Sequence, residues 1–385
     1  MSTPLPLALA MIFAACAAAA GPPTDLDAVR GSADTGGFAQ ALAPPEWHFP
    51  RDHGPHSAFR HEWWYVTGNL DAPSGERFGF ELTFFRLALL PPGPVGRAGS
   101  DATRESNSAW RARQIYVAHF AITDVARREF HVAQKYSRQA LGLAGATADP
   151  FRVWIDNWSL GVPQSRTAMR NGTNWTLHAG DARYALTLEA QPLSPPVLNG
   201  EGGLSRKAAD PGAASDYYSI PRIAVHGNLW RGGRALEVRG LAWLDREWGS
   251  GSLGKQQQGW DWFGLQLRDG STLMFYSLRN RDGTRDPHSA GTWVDAAGHV
   301  RPLTSEDLSI EVTDHWVSPR GARYPSRWRI RVASIGFAAQ IRPVLADQEL
   351  DTRPRYWEGA VDVQASLAGR DTPGRGYVEL VGYAE

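Results

Sequence analysis

Cysteine and lysine are both scarce in this 385-residue chain. Cys16 is the only cysteine, so the chain cannot form an internal disulfide and its fold must depend on hydrophobic cores. Lysine occurs only at Lys135, Lys207 and Lys255. Lysine and arginine together number 40, as do aspartate and glutamate, which leaves a formal net charge of zero. This balance gives no general attraction to nucleic acid, and no nucleic-acid partner is predicted.

Motifs of two common enzyme classes are missing or out of place. The chain has no G-x-S-x-G sequence and no cysteine placed as a nucleophile, so hydrolysis by a catalytic triad has no support. Residues 249–254 match G-x-G-x-x-G, but a Lys-Gln-Gln-Gln stretch and a strand follow where a dinucleotide fold requires a helix. No cofactor is therefore predicted.

The N-terminus has the features of an export signal. An apolar run that ends at Cys16 is too short to span a bilayer comfortably, and small residues follow it. Residues 13–16 resemble a bacterial lipobox, in which the cysteine is acylated, and the alternative is simple cleavage after one of the next alanines. We predict a signal peptide over 1–20 and a flexible tether over 21–44. The protein is then exported, and is either periplasmic or a membrane-anchored lipoprotein.

Beyond about Glu46 the pattern is that of short strands joined by turns. The apolar residues of segment 78–84 recur with a period of two, which places them on one face of a strand. No amphipathic helix of three turns or more is recognisable, so antiparallel barrels or sandwiches are predicted. The Gly- and Gln-rich segment 249–258 is the best boundary between an N-terminal domain over 45–250 and a C-terminal domain over 255–385. Two segments rich in Pro, Gly, Ala and Ser are predicted as surface loops, 91–109 and 194–216.

Tryptophan is abundant, with 16 residues, and several indoles stand beside ionisable groups in strand-like segments. On the strand that begins at His61, Trp63 and Tyr65 point to the same side as His61, whereas Glu62 and Trp64 point to the other. One of the two faces must be interior. The pattern therefore predicts that either the Tyr65 face or the Glu62 face is buried.

Asp245 is the main candidate for acid–base chemistry. It shares a strand face with Trp243, which places its carboxyl group beside an indole. A carboxyl group among aromatic rings loses water, which favours its protonated form and makes it a candidate proton donor. The alternative is an ordinary aspartate at a strand end that accepts backbone N–H bonds from the following turn.

The other candidate ligand contacts lie in aromatic or acidic segments of both halves. Trp260 and Trp262 could line a ligand cavity or pack in the seam between the domains, and Arg86 could neutralise a carboxylate or hold a ligand oxygen. The predicted ligand-binding residues are Glu62, Trp64, Tyr65, Arg86, Glu247, Trp260, Trp262, Tyr356, Trp357 and Glu358.

His53, His56, His61 and Glu62 are close in sequence and are residue types that bind zinc. Their spacing is not His-Glu-x-x-His on a helix, and a Gly-Pro pair within the segment forces a turn. The alternative is a loop that closes a barrel end, with histidine and arginine side chains bonded to carbonyl groups. No metal site is predicted.

Several motifs together resemble the lipocalin-like family of AttH and carotenoid 1,2-hydratase (CrtC), often labelled predicted secreted hydrolases. They occur in the family's order at 61–68, 243–249, 260–263, and 356–361 with 376–380. The resemblance covers about residues 46–385. It implies an all-β fold of two consecutive lipocalin-like antiparallel β-barrels, with a ligand cavity near their junction.

The resemblance also implies a role for one acid. In the hydratases an aspartate two residues after an aromatic is taken to protonate a terminal C=C of an acyclic carotenoid, and by position these residues are Asp245 and Trp243. The hydratases have tyrosine where this chain has Trp243. Because it carries an export signal, the chain is more similar to the exported AttH-type branch, which is associated with ABC export systems.

Three functions stay open. The first is an exported protein that binds a long hydrophobic, isoprenoid- or lipid-like ligand and acts as a hydro-lyase that hydrates a C=C. The second is a non-catalytic lipid or lipoprotein handler that works with ABC transporter components. The third, a glycan-binding or glycan-cleaving module, would need exposed tryptophan platforms and two carboxylates about 5–10 Å apart across a groove. Fungal relatives of the broad fold are similar to pericyclases, so the cavity need not perform acid catalysis.

Overall fold

A computed structural model describes four stretches of the chain, 36–92, 113–163, 174–251 and 253–384. Cys16 and the predicted signal peptide lie outside these residues. The last part of the predicted tether, 36–44, is described and packs against the protein, since Phe38 and Ala41 are buried. A flexible tether therefore remains a prediction for residues 21–35 alone.

The first half of the chain forms one antiparallel sheet of thirteen strands. They are β1 (His61–Asp71), β2 (Arg77–Ala88), β3 (Gln114–Asp124), β4 (Glu129–Arg138), β5 (Ala144–Ala148), β6 (Phe151–Ile155), β7 (Trp158–Gly161), β8 (Trp175–Gly180), β9 (Tyr184–Pro192), β10 (Val197–Leu198), β11 (Leu204–Arg206), β12 (Ala214–Arg231) and β13 (Arg234–Gly249). The order is β4-β3-β2-β1-β13-β12-β9-β8-β7-β6-β5, and β10 and β11 pair with β12. The first and last strands, β1 and β13, are neighbours.

The second half forms an antiparallel sheet of eleven strands. They are β14 (Gln257–Leu267), β15 (Thr272–Asn280), β16 (Ala290–Val294), β17 (Val300–Thr304), β18 (Ser309–Val317), β19 (Arg323–Val332), β20 (Phe337–Pro343), β21 (Glu349–Leu350), β22 (Tyr356–Leu367), β23 (Arg370–Asp371) and β24 (Gly374–Leu380). The order is β17-β16-β15-β14-β24-β22-β20-β19-β18, and β21 and β23 pair with β22. The prediction of an all-β protein with two consecutive antiparallel barrels is confirmed, the two sheets being nearly closed or half-barrels.

Helix is minimal in the described part of the chain. It consists of two three-residue 3-10 turns, Arg51–His53 and Ala333–Ile335. No described helix is long and apolar enough to cross a membrane.

Each sheet encloses its own hydrophobic core, and a third cluster of buried side chains lies between the sheets. Trp64 and Trp158 are in the first core, and Trp328 is in the second. The third cluster includes Tyr65 and Trp243 from the first sheet, packed against residues of the second. Strand β1 is consequently buried on both faces, so the expectation that only one of them is interior was too narrow.

The two barrels are joined by close packing and by polar bonds. A Cβ placed on Gly79 would come within 2.6 Å of the Ala360 Cβ, so only glycine allows the sheets to approach this closely here. The Thr123 hydroxyl donates to Gln348 Oε1 at 2.7 Å in the buried seam. Ion pairs add to this seam where it is partly exposed, among them Arg77 with Asp362 at 2.7 Å. The seam positions the walls of the cavity described next.

Candidate active site

A cavity of about 940 Å³, its mouth included, lies between the outer face of the first sheet and the facing strands of the second. Trp63 and Tyr65 reach it from β1, and Asp245 and Glu247 reach it from β13, because alternate residues of a strand point to the same side. Aromatic residues are the most numerous class on its wall. Such a cavity suits a largely apolar ligand held by a few polar groups.

Trp262 forms part of this wall because residue 264 is glycine. A Cβ at Gly264 would overlap the Trp262 ring, so the indole can lie along its own strand only above a glycine. The ring packs edge-on against Tyr65, with 5.3 Å between centroids, and against Trp243, with 5.9 Å. Its N–H donates to the Tyr217 hydroxyl at 3.1 Å. Trp262 thus connects the second barrel to a cluster of polar side chains at the centre of the wall.

Asp245 is at the centre of that polar cluster. Its carboxyl accepts hydrogen bonds from the Tyr217 hydroxyl and the Ser219 hydroxyl at 2.5 Å each, and from the Trp243 indole N–H at 2.7 Å. Ser219 and Tyr65 are its register partners on the two neighbouring strands, β12 and β1. Three donors fix the orientation of the carboxyl group, which a positioned acid requires.

The electrostatic state of Asp245 follows from its burial. Only 4 % of the residue is exposed, and no cation forms an ion pair with it in the described part of the chain. Burial raises the pKa of Asp245 to about 7, and the bonds from Ser219, Tyr217 and Trp243 offset only part of that effect. A substantial fraction of the carboxyl groups is therefore protonated near neutral pH.

A second polar cluster surrounds Glu247, which is two residues after Asp245 on β13. The Lys207 ammonium is 3.0 Å from Glu247 Oε1 and donates to the Ser205 hydroxyl at 3.0 Å. The Ser215 hydroxyl also bonds to Glu247. Burial alone would lower the pKa of Lys207, but Glu247, the Tyr276 phenol group and Asp245 more than offset it, and the pKa lies above its ordinary value. Lys207 is a cation in the cavity wall.

A third group comes from the second barrel. The Trp260 indole donates to Glu379 Oε2 at 3.1 Å, and burial raises the pKa of Glu379 to about 8. Glu379 lies on the cavity wall. It is a second carboxyl group that is mostly protonated at neutral pH, opposite the strand that carries Asp245.

Two further glutamates are buried in the seam beside the cavity. Burial raises the pKa of Glu81 to about 7 and, together with repulsion from Glu81, raises the pKa of Glu358 well above its ordinary value. Neither oxygen of Glu358 has a hydrogen bond of ordinary geometry within the described residues. Tyr356 connects this region to the cavity, since its hydroxyl lies 3.4 Å from Glu81 and 2.7 Å from His119 Nδ1.

The structure brings together many of the residues singled out from the sequence. Tyr65, Glu247, Trp260, Trp262 and Tyr356 lie on the wall with Asp245. Trp243 lies behind Asp245 and holds it through its N–H instead of lining the space. Glu358 lies behind the wall. The turn-capping alternative for Asp245 is wrong, because its carboxyl bonds to side chains that line or support the cavity.

Besides Glu358, four predicted contacts do not line this cavity. Trp64 and Trp357 lie in the cores of the first and second barrels. Glu62 and Arg86 are on the opposite face of β1 and β2, form a fully buried ion pair, and contribute to a smaller neighbouring cavity of about 580 Å³. Arg86 therefore neutralises a carboxylate, which was one of its two predicted roles.

The histidine-rich segment packs as a loop against the first barrel. Arg246 donates to the carbonyl oxygens of His53 and Gly54, and Arg86 donates to those of His56 and Phe59. The arginine bonds agree with the loop alternative, whereas the rings of His53 and His56 bond to Tyr218 and Glu62 instead of to carbonyl groups. Over the described residues, no cluster of three or more His, Cys, Asp or Glu side chains could hold a metal ion.

Sequence reasoning missed several polar residues of the site. Tyr217 and Ser219 are alternate residues of β12, and that alternation was the available signal. Lys207 follows β11 within a segment predicted as a surface loop, and its rarity among the basic residues was the only hint. Glu379 stood inside a recognised motif but was not singled out.

Comparisons with known proteins agree with this fold. The family model described as AttH-like matches residues 40–383. A crystal structure of a Nitrosomonas europaea protein assigned to AttH is 35% identical, with a TM-score of 0.76, and the match covers 90% of this chain and all of that one.

Two more distant matches are named as enzymes that add or remove water. Kievitone hydratase from Nectria haematococca is 15% identical with a TM-score of 0.65, over 92% of this chain and 98% of that one, and this likeness shows the fold alone. Dehydratase AsqC of Emericella nidulans is 23% identical over 238 residues, or 55% of this chain. The chain spans 62% of the length of that curated relative.

Proposed function

The chain belongs to the AttH-like family, and from this premise we propose that it binds a long apolar, isoprenoid- or lipid-like molecule between its barrels and adds water to a C=C bond or removes water to form one. It would then be a hydro-lyase. The observation that carries the proposal is the Asp245 carboxyl, a partly protonated acid in an aromatic cavity. The names of a hydratase and a dehydratase among the relatives support the same class of reaction.

The proposed hydration has two steps. The Asp245 carboxyl gives its proton to the less substituted carbon of the double bond, which forms a C–H bond and leaves a tertiary cation on the other carbon. Water then forms a C–O bond to that cation, and the proton lost from the added water returns to the Asp245 carboxylate. Atoms and charge balance, the acid is regenerated, and the reverse sequence is dehydration.

The surroundings of Asp245 favour the charged intermediate. Trp262 and Tyr65 line the cavity, and an aromatic ring attracts a cation to its face. The Asp245 carboxylate formed in the first step keeps its bonds from Tyr217, Ser219 and Trp243, so its charge appears where donors already point. The site is thus arranged to lower the energy of both ions.

The test is hydration of acyclic isoprenoids, such as geranylacetone and squalene, in H₂¹⁸O and in D₂O. Wild-type protein should incorporate one ¹⁸O and one carbon-bound deuterium per product, measured by mass spectrometry. Asp245→Asn keeps the size of the side chain but removes the acid, so turnover should fall by about 10²- to 10⁴-fold. Glu311→Gln, a change at an exposed side chain, is the matched control and should keep full turnover.

Unchanged turnover in Asp245→Asn would remove the proposed acid. A folded wild-type protein that binds these probes and hydrates none of them would instead support the second candidate, a lipid or lipoprotein handler that works with an ABC export system. The large apolar cavity is the observation that favours handling as well as chemistry.

We also propose that residues 1–20 direct export and that the mature protein is periplasmic or anchored through a lipid on Cys16. This proposal rests on the sequence of the apolar N-terminus alone. Intact mass spectrometry of the protein from its native host tests it. A mature mass without diacylglycerol would exclude the anchor, and a chain that retains residues 1–20 would exclude the cleaved signal.

A further inference from the structure

Lys207 is an unexpected residue in an apolar cavity. It follows β11, and its backbone is fixed by bonds from its N–H to the Ala213 carbonyl and from Gln257 to its own carbonyl, both at 2.7 Å. Only 16 % of its side chain is exposed. The ammonium lies 4.0 Å from the centroid of the Tyr276 ring and 5.2 Å from that of Tyr217. The fold therefore holds a cation at one end of the cavity at a cost in desolvation.

The hydrogen bonds of this ammonium are incomplete. Of its three N–H donors, one is directed to Glu247 and one to Ser205. The described residues provide no third oxygen or nitrogen acceptor, and the Ser205 hydroxyl is itself bonded to the Tyr276 hydroxyl at 2.8 Å. Because Lys207 lies on the cavity wall, its remaining donor is available to a ligand.

We infer that Lys207 binds a carbonyl oxygen of the ligand, so that the natural ligand is an isoprenoid or related chain bearing a neutral carbonyl group and not a pure hydrocarbon. The inference rests on the proposed function for the existence of a ligand in this cavity, and it names the chemical class of that ligand. A hydrocarbon would displace water from the ammonium and replace none of its hydrogen bonds, which weakens binding.

Charge favours a neutral carbonyl over a carboxylate. Glu247 already balances the charge of Lys207, so an anionic ligand would leave a net negative charge in the cavity. Burial raises the pKa of Asp245 and that of Glu379, and a further negative charge nearby would have to be accommodated beside both. A carbonyl oxygen accepts the free N–H without adding charge.

The strand geometry also limits where the double bond lies. Glu247, which holds Lys207, is two residues from Asp245 on β13, so the two carboxyl groups are about 7 Å apart along the strand. A carbonyl at Lys207 and a double bond at Asp245 are then a few bonds apart in the ligand. Geranylacetone has this arrangement.

The experiment compares three matched probes by quenching of tryptophan fluorescence. They are geranylacetone, the hydrocarbon in which its carbonyl is a methylene group, and geranylacetic acid, in which a carboxylate replaces the ketone. Wild-type protein should bind the ketone at least tenfold more tightly than either of the others. Lys207→Met with Glu247→Gln removes the pair without leaving an unpaired charge, and in this double variant the ketone and the hydrocarbon should bind within twofold of each other.

A control separates this inference from the proposed chemistry. Asp245→Asn should retain the ketone preference although it loses turnover. Equal binding of ketone and hydrocarbon by wild-type protein, or a preference that survives in the double variant, would overturn the inference and leave the proposed function standing. Tightest binding of the carboxylate would overturn the choice of a neutral carbonyl. If none of the probes binds, both proposals fail together.

Discussion

Two buried carboxyl groups, those of Glu62 and Asp245, lie on opposite faces of the β1–β13 strand pair, and only Glu62 forms an ion pair among the described residues. Glu62 faces the first core, where it pairs with Arg86 and lies 3.1 Å from Arg246. Asp245 faces the cavity and, within the described residues, forms hydrogen bonds but no ion pair. Both residues are almost fully buried. Burial is thus common to both, and the counter-charge is what differs.

The protonation states of the two carboxyl groups follow from this difference. Burial would raise the pKa of Glu62, but Arg86, His56 and Arg246 more than offset it and hold the pKa well below its ordinary range. Burial raises the pKa of Asp245 to about 7, because the bonds from Ser219, Tyr217 and Trp243 offset only part of that effect and no cation is paired with it among the described residues. Glu62 is therefore a carboxylate in a permanent ion pair, whereas Asp245 is protonated in a substantial fraction of the molecules near neutral pH.

Removal of the Glu62 carboxylate should give the largest effect on stability. Glu62→Gln leaves Arg86 and Arg246 buried without a counter-charge, so the free energy of unfolding should fall by about 3–5 kcal/mol. Urea denaturation followed by circular dichroism measures this. A loss below about 1 kcal/mol would mean that water reaches these guanidinium groups and that the contrast between the two faces is weaker than it looks.

Two buried glutamates, Glu81 in the seam and Glu379 on the cavity wall, should make the free energy of unfolding fall as the pH rises. Because burial raises the pKa of Glu81 to about 7 and that of Glu379 to about 8, their contribution to stability is present below about pH 4.5 and is lost as the pH passes those folded-state values. Glu81→Gln should remove part of this loss, which raises the free energy of unfolding by about 2–3 kcal/mol at pH 8.5 and changes it little at pH 4.5.

Urea denaturation across pH 4 to 9 checks that profile. On the core side the sign is opposite, since the lowered pKa of Glu62, held down by Arg86 against its burial, gives stability that is present above about pH 4.5 and lost at lower pH. An alkaline limb that is the same in Glu81→Gln and wild type would show that Glu81 is not a source of the loss.

Trp243→Phe tests how far the Trp243 N–H lowers the pKa of Asp245. It removes the N–H bond to Asp245, which favours the ionised carboxyl, so the pKa of Asp245 should rise further. The pH at which hydration activity falls should shift upward by up to about one unit, while the maximal rate changes by less than about tenfold. The pH–rate profile measures both quantities. A downward shift would contradict the assignment of the protonated carboxyl as the active form.

The smallest effect is expected where a carboxylate is paired but not buried. Glu311 and Arg329 are more than half exposed and lie 3.2 Å apart. Glu311→Gln should change the free energy of unfolding by no more than about 0.5 kcal/mol, because water and salt screen such pairs. Thermal unfolding of this variant beside Glu62→Gln checks that burial sets the size of the effect. Losses of similar size in the two variants would refute that account.

Much of the fold and part of the site could be read from local patterns. The alternation along β1 and β13 predicted which residues share a face, and the four family motifs implied two barrels with a cavity between them. The same alternation could not show that both faces of β1 are buried, because the second barrel that covers the outer face is remote in sequence. Lys207 illustrates the other limit, since its segment reads as a surface loop and becomes a cavity wall only where it meets Glu247.

The sequence by itself determined the main hairpins, the all-β class and the placement of Asp245 beside an indole, because period-two alternation is a local property of the chain. Only the tertiary structure decided which buried carboxyl groups are neutralised. Glu62 and Arg86 are 24 residues apart and Asp245 and Tyr65 are 180 apart, yet each pair lies on adjacent strands. The pKa of a carboxyl group depends on the charges and donors within a few ångströms of it, and those are set by strand pairing and barrel packing.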